Sequence, residues 1–208
     1  MRIVGVTKGF GPSVVRAARE AGIRDLGENY AGELLAKSRA AQLDDGPAGP
    51  VVWHFLGAIQ RNKVPTLAPV VSVWQSVARE AEGVRIARFA PGTSVMVQVD
   101  VTGLPGRNGC TPNAVPGLVK RLQQLGLVVL GLMTVAAPEA AAAEVAFGRV
   151  VRLADQLELP ERSLGMSDDL EAAVAAGSTM VRIGRALFGD RPPPVSSPSP
   201  PLRAPGLR

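Results

Sequence analysis

One lysine near the start of the chain has the type and position of a reactive group. Lys8 follows the apolar run of residues 3–6 and precedes a Gly-Phe-Gly-Pro break. Because side chains alternate along a strand, Lys8 shares a face with Val4 and Val6. An ammonium on a buried face is costly unless it is paired, neutralised or used chemically. The alternative, which this run alone favours, is a strand-end lysine that extends to solvent.

Ser167, Arg182 and Gly184 form a second group near the other end of the chain. Ser167 offers a hydroxyl and its own N–H, and Gly184 has no side chain to keep an anion from the backbone. Both have ordinary alternatives, since Ser167 could simply cap a helix and Gly184 could permit close packing. The two residues could hold a phosphate if the fold brings them together.

The elements that carry these residues alternate between apolar runs and helical patterns. Pro12 and Gly22 bound the first helix in the usual way. The predicted strands are residues 3–6, 23–26, 51–55, 70–74, 94–101, 127–132, 163–166 and 179–183. The predicted helices are residues 12–21, 29–43, 60–67 and 77–89, one ending near Leu125, then 139–157, 167–176 and 184–188.

Eight strands, each followed by a helix, predict a single (β/α)8 TIM barrel over residues 1–190. A doubly wound open sheet with the same alternation is the structural alternative. In a barrel the site lies at the C-terminal ends of the strands. Lys8, Asn29, Ser167 and Gly184 all follow predicted strands, so we expect them at that end.

Composition narrows the class of protein. Three of the five net positive charges come from Arg191, Arg203 and Arg208, which leaves +2 for residues 1–190, with no basic stripe for nucleic acid. A single cysteine, Cys110, excludes an intramolecular disulfide and fits a reducing compartment. Neither a signal peptide nor an 18-residue apolar run is visible. We therefore expect a cytoplasmic protein that binds neither membranes nor nucleic acid.

The C-terminal residues differ from the rest of the chain. Residues 191–208 hold seven of the eighteen prolines, together with several serines. Such composition predicts a disordered Pro/Ser-rich tail.

A buried lysine, a phosphate cradle and a nearby arginine together indicate pyridoxal phosphate. Lysine forms a Schiff base with the aldehyde of this cofactor. Arg182 could meet the pyridine nitrogen and, because it stays protonated, would keep that nitrogen neutral and weaken the cofactor as an electron sink. A weaker alternative is another phosphorylated metabolite bound without a Schiff base.

Seven motifs, in order along residues 1–190, resemble the pyridoxal phosphate homeostasis protein family, which is itself similar to the N-terminal barrel of alanine racemase. They are Val6-Thr-Lys8, Leu26-Gly-Glu-Asn-Tyr30, Trp53-His-Phe-Leu-Gly57, Gln60-Arg-Asn-Lys63, Gly131-Leu-Met-Thr134, Gly165-Met-Ser-Asp168 and Gly177-Ser-Thr-Met-Val-Arg-Ile-Gly184. The resemblance implies that Lys8 carries the Schiff base, that Ser167 and Gly184 contact the phosphate, and that Arg182 lies near the ring nitrogen. Asn29 and Met166 are implied to line the pocket.

The resemblance implies a monomeric carrier that holds pyridoxal phosphate and passes it to apo-enzymes, with no catalytic residue and no metal ligand. The alternative is an amino-acid racemase, which in alanine racemases uses a second base from an additional domain. The sole tyrosine, Tyr30, is interpreted as a packing residue, and so is His54, for which we have no chemical role. Family members normally carry a helix before the first strand, whereas Met1 nearly begins it here.

Overall fold

The structure is a computed structural model that describes residues 1–42, 49–136 and 139–191. Within these ranges, eight parallel strands close into a barrel in chain order, and β1 pairs with both β2 and β8. The strands are β1 (Arg2–Val6), β2 (Asp25–Glu28), β3 (Val52–Phe55), β4 (Val73–Val77), β5 (Ser94–Gln98), β6 (Val128–Met133), β7 (Glu161–Ser163) and β8 (Met180–Ile183). The predicted barrel is confirmed, and the open sheet is excluded.

A helix follows each strand. The helices are α1 (Ser13–Glu20), α2 (Ala31–Gln42), α3 (Val64–Leu67), α4 (Glu80–Phe89), α5 (Val115–Gln124), α6 (Ala140–Gln156), α7 (Leu170–Ala175) and α8 (Arg185–Phe188), with a 3-10 turn at Pro112–Ala114. In α1, the spacing of Val14, Val15 and Ala18 puts all three on the buried face. Gly22, with φ of 78°, then turns the chain towards β2.

Apolar residues form two layers, one inside the barrel and one between the strands and the helices. The inner cluster consists of Val4, Val73, Met96, Met133 and Met180. The outer cluster includes Leu26, Trp53, Phe55 and Trp74. Successive strand residues therefore alternate between the two layers, which places polar residues of the inner face inside the barrel.

Three strands lie a few residues from the predicted positions 23–26, 70–74 and 163–166. Polar residues that the sequence pattern places outside β4 are in fact part of it and find partners there. The Gln75 amide lies 2.7 Å from His54 Nδ1, and the Ser76 hydroxyl donates to the Gly57 carbonyl at 2.5 Å. Hydrogen-bonded polar side chains thus continue the strand where the apolar run ends.

Some predictions fall outside the described residues. These are the end of the second predicted helix at Leu43 and all of the predicted tail except Arg191. Of the helices in the described ranges, none combines the length and the apolar character needed to span a membrane.

Candidate functional site

A cavity of about 460 Å³ opens at the C-terminal end of the barrel. Its size is that of a small-molecule site. The lining residues are Val6, Lys8, Asn29, Leu56, Gln98, Met133, Val135, Met166, Ser167, Asp168, Arg182, Gly184, Arg185 and Arg191. All six residues predicted to bind a cofactor therefore lie around one cavity, although they come from four different strand ends.

Lys8 lies two residues beyond β1, on the same side as Val6. Burial lowers the pKa of the Lys8 amine, and the charges of Arg191 and Arg182 lower it further, while Glu28 acts in the opposite direction. A lysine with a lowered pKa has a larger neutral fraction near pH 7, and the neutral amine is the nucleophile. The surroundings of Lys8 therefore raise the fraction of the reactive neutral amine.

Three charged residues behind β1 and β2 hold the two neighbours of Lys8; we call Glu28, Glu33 and Lys37 the Lys37 cluster. The Lys37 ammonium pairs with Glu28, and it donates to Glu33 Oε2 at 3.0 Å and to the Thr7 carbonyl at 2.6 Å. The Thr7 hydroxyl donates to Glu28 Oε1 at 2.7 Å.

The cluster also reaches the residue that follows Lys8, because the Gly9 N–H donates to Glu33 Oε2 at 2.8 Å. Both neighbours of Lys8 are thus tied to α2. Lys37 and Glu28 are almost fully buried. Burial raises the pKa of Glu28, although the hydrogen bonds from Lys37 and Thr7 lower it. The spacing of Glu33 and Lys37, four residues apart on a helix, predicts their ion pair, and the structure confirms it. The burial of Lys37 against Glu28 and Thr7 was not predicted.

The Arg182 side chain extends from β8 into the cavity, and hydrogen bonds to Ser163 and Thr134 hold its guanidinium. Its Nη1 donates to the Ser163 carbonyl at 2.6 Å and to Ser163 Oγ at 2.8 Å, and its Nη2 donates to the Thr134 carbonyl at 2.7 Å. Burial lowers the pKa of Arg182 to about 10, against the charge of Asp169. The guanidinium is therefore still charged at neutral pH, and it is oriented by Ser163 and Thr134.

The cavity lining carries an excess of positive charge. Lys8, Arg182, Arg185 and Arg191 are cations, and Asp168, which pairs with Arg185, is the one anion among the described lining residues. Gly184, itself part of the lining, packs closely against Val6, since a Cβ there would lie 3.2 Å from the Val6 carbonyl oxygen. The donor set and the charge therefore fit a small phosphorylated anion.

Several lining residues were not predicted. Gln98, the last residue of β5, is one of them, and its place at a strand end was the available signal. Met133 directly follows the sixth predicted strand, which predicts it at this end of the barrel, and it does line the cavity. Arg191, included in the predicted tail, lines the cavity.

Tyr30 was predicted to pack, and this is wrong, because 61% of its surface is exposed in the turn before α2. His54 is fully buried inside the barrel, as packing requires, but it also has polar partners.

Gly57→Ala is expected to lower the free energy of unfolding by about 1–3 kcal/mol through overpacking. A Cβ at Gly57 would lie 1.9 Å from the main-chain oxygen of Asn29, so the backbone that carries Asn29 must shift. Urea unfolding measures the change. The matched control is Gly117→Ala in α5, where a Cβ meets no atom within 4 Å and the helix gains about 0.5–1 kcal/mol. Equal stabilities for the two variants would contradict the prediction.

Comparison with known proteins places this site in context. Residues 1–192 match the family model described as alanine racemase, N-terminal domain. The chain is 41% identical over 198 residues to the pyridoxal phosphate homeostasis protein of Pseudomonas aeruginosa, which covers 91% of this chain and 84% of that protein. It is 34% identical over 201 residues to the protein of the same name from Escherichia coli K12, with 91% and 85% covered.

A solved structure has the same fold at similar identity. PipY of Synechococcus elongatus PCC7942, with pyridoxal phosphate bound, aligns with a TM-score of 0.80 and 32% identity over 91% of this chain and 92% of that one.

Proposed function

Because the chain belongs to the pyridoxal phosphate homeostasis protein family, within the alanine racemase N-terminal domain family, we propose that it holds pyridoxal 5'-phosphate (PLP) as a Schiff base on Lys8. It would act in intracellular PLP homeostasis as a carrier without turnover. The observation that carries the proposal is the cavity, in which Lys8, Arg182, Ser167 and Gly184 meet. The family resemblance inferred from the motifs is confirmed.

Lys8 supplies the covalent attachment in this proposal. Its neutral amine adds to the aldehyde carbon, and the oxygen leaves as water when the C=N bond forms. The lowered pKa of Lys8 supports this role, since a smaller part of the binding free energy is needed to deprotonate it. The contacts of Thr7 and Gly9 with the Lys37 cluster support it as well, because they fix the backbone on both sides of Lys8.

Ser167 and Gly184 would hold the phosphate with a hydroxyl and with backbone N–H groups. Arg185 and Arg191 lie in the same lining and would add charge of the right sign. Met166 and Asn29 would complete the walls of the pocket. The Met166 N–H is itself held by Asp169 Oδ1 at 2.5 Å, which orders the segment that carries Ser167.

Arg182 would face the pyridine nitrogen. When bound, PLP supplies an electron sink, and that sink is strongest when its ring nitrogen is protonated. Arg182, charged at neutral pH, donates hydrogen bonds and accepts none, so it would leave the ring nitrogen unprotonated. This supports retention of the cofactor rather than chemistry at an amino acid.

The position of Tyr30 also favours a carrier over a racemase. Two-base racemisation needs an acid–base group on each face of the cofactor. Tyr30 is the only tyrosine of the chain; it is mostly exposed and is not part of the cavity lining.

We further propose that the protein is cytoplasmic and monomeric and that apo forms of PLP enzymes are the recipients.

The distinguishing experiment is exchange of the α-proton of alanine and other amino acids in deuterated water. We expect PLP-loaded protein to exchange α-protons no faster than free PLP at the same concentration. Proton NMR of the amino acid measures the rate, with Lys8→Ala protein as the second reference. Exchange on the order of one per second or faster, a rate typical of enzymes, would overturn the carrier proposal in favour of the racemase.

A further inference from the structure

A chain of hydrogen-bonded side chains runs through the interior of the barrel and ends on Arg182. Asp25 Oδ1 lies 2.9 Å from His54 Nε2, and His54 Nδ1 lies 2.7 Å from the Gln75 amide nitrogen. The Ser163 hydroxyl lies 2.7 Å from Gln75 Oε1, and it also accepts from Arg182 Nη1 at 2.8 Å. Asp25 begins β2, so the chain joins the N-terminal end of the barrel to the cavity at the other end.

These side chains are surrounded by the apolar inner layer of Val4, Val73, Met96, Met133 and Met180. His54, Gln75 and Ser163 have no exposed surface, and Arg182 is 5% exposed. Polar groups buried in such surroundings are costly unless each one has a partner. Valine or methionine would fill the same space, so filling the barrel does not by itself account for three linked polar side chains here.

The direction of every hydrogen bond in the chain follows from its ends. A guanidinium only donates, so Ser163 Oγ accepts from Arg182 and gives its own proton to Gln75 Oε1. The Gln75 NH2 group then faces His54 Nδ1, which must be an unprotonated acceptor. His54 Nε2–H consequently donates to the Asp25 carboxylate. His54 is therefore neutral, with its proton on Nε2.

All four bonds thus point the same way, from Arg182 to Asp25. Each linking side chain therefore turns its acceptor atom towards the guanidinium and its donor group towards the carboxylate, so the aligned dipoles stabilise both charges. Among the described residues, no carboxylate lies within ion-pair distance of Arg182. Burial acts to raise the pKa of the Asp25 carboxyl, but the hydrogen bond from His54 and the charges of Arg2 and Arg24 lower it overall. Arg182 and Asp25 are thus opposite charges linked through neutral groups.

We propose that Asp25, His54, Gln75 and Ser163 are positioning residues that hold the Arg182 guanidinium in place and oriented towards the bound cofactor. The inference rests on the proposed function, because Arg182 acts there on the PLP ring. It gives His54 a role that its buried position alone did not reveal. A substitution that breaks any one of these hydrogen bonds should make the Arg182 guanidinium more mobile, and it should leave Lys8 and the phosphate contacts in place.

Two variants of the full-length protein interrupt the hydrogen-bond chain at different links. Ser163→Ala removes the hydroxyl that contacts Arg182, and Gln75→Met replaces the amide by an apolar side chain of similar size. The matched control is Ser38→Ala, which removes a buried hydroxyl that donates to the Leu35 carbonyl within α2. The first measurement uses protein without PLP. It follows the 15N–1H signal of Arg182 Nε, assigned by its loss in Arg182→Lys. We expect a shifted signal and faster exchange with water in both variants, and no change in Ser38→Ala.

The second measurement follows the release of PLP from loaded protein to an excess of an apo-enzyme. We expect release about 10-fold faster in Ser163→Ala and Gln75→Met than in the wild type. The visible colour that depends on Lys8 should persist in both variants. Release and Arg182 signals equal to those of Ser38→Ala would overturn the inference.

A third variant covers the case in which Gln75→Met or Ser163→Ala does not fold. Asp25→Asn keeps an acceptor for His54 and removes only the charge, at a side chain that is 24% exposed. We expect the Arg182 signal to shift in the same direction as in the other two variants, but by less. An unchanged signal would contradict the proposed role of the hydrogen-bond chain. If wild-type protein shows no colour that depends on Lys8, the proposed function fails, whereas the measurements without PLP still decide the inference.

Discussion

Lys8→Ala protein is expected to remain colourless with PLP, whereas the wild-type protein turns yellow. The alanine variant has no amine at the end of β1 to form the C=N bond, so the loss should be complete. Retention of the cofactor should survive in part, because Ser167, Gly184 and the cavity arginines still favour the phosphate. Absorbance measures the Schiff base, and gel filtration followed by phosphate or fluorescence analysis measures retention.

Borohydride reduction locates the attachment independently of colour. The chain has four lysines, Lys8, Lys37, Lys63 and Lys120, so a reduced pyridoxyl group can be assigned by peptide mass. We expect the label on Lys8 alone in wild-type protein and no label in Lys8→Ala or Lys8→Arg. Lys120→Ala, at an exposed position of α5, should behave as the wild type. A label that stays in Lys8→Arg protein would contradict the assignment of Lys8.

The architecture and the six cavity residues were predictable for a simple reason. Alternation of strands and helices dictates a parallel sheet, and the C-terminal ends of parallel strands lie at one edge. Residues as distant in sequence as Lys8 and Gly184 therefore had to meet once the barrel closed. The number of units favoured closure without proving it, and the pairing of β1 with β8 is what brings the end of β1, which leads to Lys8, next to the strand that carries Arg182.

The bounds of β2, β4 and β7 were not predictable from hydropathy. Glu28 and Gln75 lie within strands because their polar groups are bonded to Lys37 and His54, which are distant in sequence. A pattern that takes polar residues as strand ends cannot anticipate such partners. The contacts of Glu28 and Thr7 with Lys37 were missed for the same reason, although the pair of Glu33 and Lys37 followed from their spacing. The members of the Lys37 cluster are ordinary charged residues of β2 and α2 until packing buries them together.

Lys37→Met is expected to lower the free energy of unfolding by about 3–5 kcal/mol, because it leaves the Glu28 carboxylate buried without its partner. Glu28 has no exposed side-chain surface, and its Oε2 has no hydrogen-bond partner among the described residues even in the wild type. Urea unfolding at neutral pH measures the loss. The variant should also form the Schiff base more slowly, since Lys37 no longer holds the Thr7 carbonyl next to Lys8.

The effect of pH on Lys37→Met follows from the sign of the Glu28 shift. Burial already raises the pKa of Glu28, and removal of Lys37 takes away an interaction that lowers it. A carboxyl with a raised pKa in the folded state binds more protons folded than unfolded, so stability falls as pH rises. The variant should therefore be closest to the wild type in mild acid, where Glu28 is protonated, and furthest from it at neutral pH.

A second substitution separates the buried charge from other effects of losing Lys37. The double variant Glu28→Gln, Lys37→Met has no unpaired buried charge and should regain about 1–3 kcal/mol relative to Lys37→Met. Lys120→Met makes the same change at an exposed helix position and should alter stability by less than about 0.5 kcal/mol. If Lys37→Met were as mild as Lys120→Met, Glu28 would have to be neutral already in the wild-type protein. The ammonium of Lys37 would then serve only to hold Thr7 and Glu33 beside Lys8.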